Sequence, residues 1–175
     1  MIYSVFKLWT ADSLFAKGER ASDLGNPGRA YNLISEAAAL NDSEPFYKSE
    51  LAFSAAQASV ALADTDATLS GQLKDQAVLQ MDQVLKGSPK NVSFWRTAIR
   101  TYFELADLDK TLNAVNKAIS LAPTDPKLYY NKALILETLG KKDEGIKALE
   151  QALKLKPNYL EAIQQLKEAT ASGKP

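Results

Sequence analysis

Arg96 and Arg100 lie four residues apart. In a helix that spacing places two guanidinium groups one turn apart on one face, where both can address a single anion. This is the chemistry of holding a ligand, and nothing nearby suggests breaking one. The chain has no cysteine and no histidine, which removes thiol nucleophiles, disulfides, zinc sites with Cys or His ligands and every His-based triad. The carboxylate pairs Asp64 with Asp66 and Asp143 with Glu144 fall in turns facing water, where nothing raises a pKa for acid–base work; there they cap helices. Gly25 and Gly28 are not preceded by a strand and so make no phosphate cradle. No catalytic, cofactor-binding or metal-binding residue is assigned.

Lys plus Arg and Asp plus Glu both number 21 among 175 residues. With zero formal charge the electrostatic footprint of a nucleic-acid binder is missing, and the aromatic residues lack an accompanying basic stripe, so they read as core. An apolar content of 46% is ordinary for a folded chain with a sizeable core. Ile2, Tyr3, Val5, Phe6, Leu8 and Trp9 open the chain, but Lys7 interrupts them, and the stretch is too short to span a bilayer. The chain as given reads as soluble, cytoplasmic by default.

What positions the arginines is a repeat. Pro89, Pro123 and Pro157 are spaced 34 residues apart, as are Trp95 and Tyr129, Val115 and Leu149, and Ala118 and Ala152. A helix–turn–helix unit of that length cannot bury its own apolar face and must stack on copies of itself. The clearest copy holds Tyr129, Ala133, Gly140, Gly145, Leu149, Ala152 and Pro157, and the preceding one Trp95, Ile99, Ala106, Thr111, Val115, Ala118 and Pro123. Leu14, Gly18, Gly25, Ala30, Ile34 and Ala37 form another. These patterns resemble the tetratricopeptide repeat family. The resemblance implies an all-α fold: a right-handed superhelix of antiparallel helix pairs, as one domain over 1–175.

On this frame residues 1–10 extend the first helix, repeats occupy 11–44, 45–91, 92–125 and 126–159, and 160–171 is a cap helix. The 45–91 repeat is 13 residues too long. Apolar residues at helical spacing on both sides of Asp64–Asp66 predict two lengthened helices with a turn there. A single helix is expected over 2–24, and disorder over 172–175.

The resemblance also implies a groove lined by the first helix of each pair. That groove presents Asp12, Phe15, Ala16, Glu19, Ser22 and Asp23, then Phe46, Ser49, Glu50, Phe53, Ala56 and Gln57, then Ser93, Arg96, Thr97, Arg100, Phe103 and Glu104, and last Lys127, Tyr130, Asn131, Leu134, Glu137 and Thr138. For an acidic or C-terminal peptide, the peptide-binding residues are Arg96, Arg100, Phe103, Lys127, Tyr130, Asn131 and Phe53. Arg96 and Asn131 match the clamp by which some members of the family hold a carboxylate. Arg100 stands where that clamp has asparagine, and Glu161 and Gln165 where it has basic residues. The alternative pairs Arg100 with Glu104 and leaves Arg96 solvated.

The implied function is a non-enzymatic interaction module for a protein or peptide, with no nucleic acid. Two other readings stand beside it. The opening WTADSLFAKG resembles the soluble C-terminal region of bacterial O-antigen ligase or polymerase-like membrane proteins, which implies a docking or regulatory domain tethered by a segment upstream of residue 1. A self-assembling scaffold would instead use Ile2, Phe6 and Trp9 as a seam between copies.

Overall fold

Asn, Asp and Pro at the segment boundaries mark where several of the helices begin. The Asn26 side chain accepts from the Arg29 N–H at 3.1 Å, that of Asp66 from Leu69 at 2.9 Å, Asn91 from Ser93 at 3.0 Å and Asp125 from Lys127 at 3.0 Å. Each satisfies a donor that the first helical turn leaves unpaired. Pro27, Pro45 and Pro126 follow directly after caps, where the missing N–H costs nothing.

The computed structural model describes residues 2–171, with side chains from residue 5 onward. These form α1 (Ile2–Asp23), α2 (Pro27–Leu40), α3 (Pro45–Leu62), α4 (Ala67–Gly87), α5 (Val92–Glu104), α6 (Leu108–Leu121), α7 (Pro126–Thr138), α8 (Lys142–Leu155) and α9 (Leu160–Ala171), with no strand among the described residues. The single first helix expected from the sequence is present. The expected disorder at 172–175 lies outside the described residues.

By packing, the chain divides into two compact units, Met1–Asp107 and Leu108–Pro175. In the first, α1 pairs with α2 and α3 with α4, α2 packs on α3, and α5 lies against α3 and α4. Gly18 sets the approach of the first pair: a Cβ there would stand 2.6 Å from Ile34 Cγ1 and 3.3 Å from the Ala30 carbonyl. The core beside this contact gathers Ala11, Ile34, Ala37, Ala38, Tyr47 and Leu51.

The long second pair is helical as the apolar spacing predicts, with only residues 63–66 between α3 and α4. Near its tip the helices are joined by reciprocal bonds. Ser59 Oγ donates to the Ser70 carbonyl at 2.9 Å and Ser70 Oγ to the Ser59 carbonyl at 2.8 Å. Small residues let the backbones approach, and the hydroxyls that would otherwise be stranded satisfy each other. The core of this pair is Ala55, Ala56, Ala58, Leu73 and Ala77, closed by Leu105.

In the second unit α6 packs on α7, α7 on α8 and α8 on α9. Its core is Ala133, Leu136, Ala148, Leu149, Ala152, Tyr159 and Ala162. Repeat-ending prolines have a visible use in both units. Trp95 Nε1 donates to the Pro89 carbonyl at 2.9 Å, and Tyr129 OH, one period later, to the Pro123 carbonyl at 3.0 Å. The recurring aromatic is thus a latch on the turn before its helix as well as core.

Helix ends repeat too. Gly25 and Gly140 adopt φ of 72° and 71° after α1 and α7, and Ala106 does so at 55° after α5. At each place the following N–H reaches five residues back: Asn26 to Ala21, Asp107 to Tyr102 and Lys141 to Leu136, at 2.8–2.9 Å. This is the left-handed cap that glycine adopts without steric cost. Alanine at 106 carries strain of about 1 kcal/mol. Ala106→Gly is expected to raise the denaturant midpoint, and Gly140→Ala to lower it, each by about 1 kcal/mol of stability. Equilibrium urea unfolding checks both.

Candidate functional site

In the first unit, the inner sides of α1, α3 and α5 enclose a cavity of about 540 Å³. Its walls come from the residues that the 34-residue frame assigns to first helices. Ala16, Glu19, Arg20, Ser22 and Asp23 line it from α1, Ile34 from α2, Glu50, Phe53, Ser54 and Gln57 from α3, and Arg100 from α5.

A cross-helix cluster organises one side. Arg100 Nη2 donates to both Glu50 oxygens, at 3.1 and 3.2 Å, and Thr97 Oγ1 donates to Glu50 Oε1 at 3.1 Å. The guanidinium carbon lies 4.3 Å from the Phe53 ring centroid. The Glu50 side chain is 16% exposed and that of Arg100 is 51% exposed, so the pair contributes about 1 kcal/mol or less to stability. Its weight is positional: it fixes the charge pattern of the wall. This corrects the expected pairing of Arg100 with Glu104 one turn away. Glu50, held by a second donor from Thr97, presents its carboxylate across the helix interface, and the Phe53 face holds the cation there. Arg96, exposed one turn earlier on α5, is also engaged within the chain rather than merely solvated.

Further along α3, Ser22 Oγ donates to Gln57 Oε1 at 3.0 Å and ties α1 to α3. Tyr47 OH donates to Asp12 Oδ1 lower on the same pair of helices. Phe15 packs edge-on against both Phe46 and Tyr47, with centroids 5.1 and 5.8 Å apart. Ser54 is 1% exposed, and its hydroxyl finds no partner among the described residues.

The sequence-assigned residues separate between the units. Phe53 and Arg100 are in contact, Arg96 shares the α5 face with Arg100, and Phe103 is 48% exposed at the end of that helix. Lys127, Tyr130 and Asn131 belong to the second unit. There Lys127 is exposed, Asn131 is half-buried, and the Tyr130 ring packs 5.3 Å from that of Tyr159. Gln165, where the carboxylate clamp would have a basic residue, donates to Glu137 at 2.6 Å. The repeat frame placed Glu50, Thr97, Ser22 and Gln57 in the groove; what sequence could not supply was the Thr97–Glu50 and Ser22–Gln57 bonds, because pairing across helices leaves no mark in spacing. Phe6 and Trp9, the proposed seam, are 63% and 65% exposed, and the Ile2 side chain lies outside the described residues.

Among the described residues no cluster of acidic side chains could hold a metal ion, and no helix is long and apolar enough to cross a membrane. Residues 126–159 match the tetratricopeptide repeat family model. A TPR repeat-containing protein of Methanocaldococcus jannaschii is 32% identical over 68 residues, which is 39% of this chain and 20% of that protein. Superkiller complex protein 3 of Homo sapiens is 27% identical over 93 residues, covering 53% of this chain and 6% of its own. The chain therefore spans about a fifth or less of the length of these curated relatives.

The fold is that of solved tetratricopeptide structures. MamA of Desulfovibrio magneticus aligns over 93% of this chain and 85% of its own, with a TM-score of 0.65 and 20% identity. The first TPR of Spaghetti, solved bound to an HSP90 peptide, aligns over 67% of this chain and 94% of its own, with a TM-score of 0.52 and 22% identity.

Burial first, and then the Asp12 carboxylate, push the Tyr47 hydroxyl from its ordinary 10.0 up to about 12. Because the folded value is raised, this group's contribution is fully present below pH 10 and is lost as pH climbs through 12. Stability should therefore fall across that interval. Tyr47→Phe should be less stable at neutral pH and lose less between the two limits. Urea unfolding at stepped alkaline pH measures both.

Proposed function

We propose that this chain is a non-enzymatic protein-interaction module that binds an extended peptide in the groove of its first unit. The observation that supports this most is the convergence of side chains from α1, α3 and α5 on one open cavity. A cavity of about 540 Å³ is in the range of ligand sites. The wall carries a charge pair, an aromatic face and amide groups, which suit a peptide's alternating side chains and main chain. Phe53 and Arg100 form the centre of the surface, and Arg96 and Phe103 extend it along α5. Lys127, Tyr130 and Asn131 form a second candidate surface on α7, with a point charge, an apolar wall and a neutral donor for an acidic segment.

The absence of histidine and cysteine leaves this groove without a nucleophile–base pair of the usual kinds, so binding is its whole chemistry in this reading. A photo-crosslinking amino acid placed at Ala16, exposed on the cavity wall, should trap a partner protein in the native host. The same amino acid at Lys74, exposed on α4, should not. Adducts from Lys74 but none from Ala16 would move the binding surface off the groove.

A further inference from the structure

We infer that the groove of the first unit selects a cationic peptide segment, one carrying lysine or arginine, with Glu19 and Asp23 as the receiving carboxylates. The inference rests on the peptide-binding reading above and adds the class of partner. The wall contains two arginines and three carboxylates. Arg100, although its side chain is 51% exposed, is already paired with Glu50 and stacked on Phe53, so its charge is compensated within the chain. Glu19 and Asp23 are exposed, lie one turn apart on α1, and make no ion pair or side-chain hydrogen bond with any described residue. Arg20 alone opposes them, which leaves the unpaired charge of the wall negative.

A second, independent observation points to a ligand. Ser54, which lines the same cavity from α3, keeps a hydroxyl with no partner while only 1% exposed. A buried serine in a helix ordinarily bonds the carbonyl one turn back. One left without a partner is the kind of unsatisfied group that needs an explanation, and a ligand main-chain carbonyl or amide supplies it. The Arg100–Phe53–Glu50 cluster shows on this same wall what a bound cation looks like: a guanidinium on an aromatic face with its carboxylate in reach. A partner's basic side chain at Glu19 and Asp23 would lie opposite it along the groove.

The test is selection of a random dodecapeptide display library on the intact chain, alongside a Glu19→Lys, Asp23→Lys double variant. Both positions are exposed, and circular dichroism checks that the variant keeps its helicity. The expected result is a pool enriched in Lys and Arg that binds the wild type and loses about tenfold or more in affinity on the variant, since charge-assisted bonds are removed. A pool that is neutral or acidic, or one that binds the variant equally well, overturns the cationic inference and leaves the peptide-binding reading standing. No enrichment on the wild type overturns both.

Discussion

Everything in this molecule depends on how closely two helices of a pair can approach. Gly18 has no room for a side chain against Ile34, and a Cβ on Gly145 would stand 3.3 Å from the Ala133 carbonyl. Along the helices the fully buried positions are rich in alanine: Ala11, Ala30, Ala37, Ala52, Ala55, Ala77, Ala118 and Ala152 are all 0% exposed. Small residues bury little apolar area each, but they bring backbones together so that the larger neighbours, such as Met81, Leu128 and Leu149, fill the remaining space at crystal-like density. Once the approach is set, the rotation of each first helix is set with it, and so is the stripe of side chains it turns to the open side.

The groove follows from that rotation. Glu50, Phe53 and Gln57 succeed one another at helical spacing on α3, and on one side of the same stripe Ala56 is fully buried. A polar wall results because the apolar positions are consumed by the pair interface. The Arg100–Glu50 pair is worth little as stability, about 1 kcal/mol or less for a pair whose arginine is half-exposed, but it fixes the charge pattern of the wall. The chemistry the sequence advertised most loudly, two arginines on one turn, is thus spent largely inside the protein. The quieter residues, Glu19 and Asp23, are left exposed on α1.

The repeat frame was legible in the sequence because proline, glycine and alanine each do one geometric job at a fixed interval. Pro89 and Pro123 accept from the aromatic six residues on, Gly25 and Gly140 supply the left-handed cap, and Ala118 and Ala152 are fully buried. Even the misfit at 45–91 was readable, since apolar spacing on both sides of Asp64 continued a helix. Pairing across helices was not. Arg100 could reach Glu104 on its own helix or Glu50 on another, and only the three-dimensional distance decides. Nor does spacing reveal that Thr97 would reinforce Glu50, or that Ser54 would be left without a partner, because both depend on rotamers chosen after packing. The residues assigned to one binding face also fell in two units, a division that a 34-residue ruler cannot register.

The most direct test of this account is the thermal unfolding of Gly18→Val beside the control Lys17→Val, which changes an exposed neighbour on the same helix. If the close approach at Gly18 governs the first pair, the added side chain must force α1 away from Ile34 at about 1–3 kcal/mol. Tm should then drop by about 3–10 °C for a chain of this size, with the control nearly unchanged. A Gly18→Val protein that melts at or above the wild-type temperature would contradict the account, because it would mean that the helices are not held at the distance on which the groove depends.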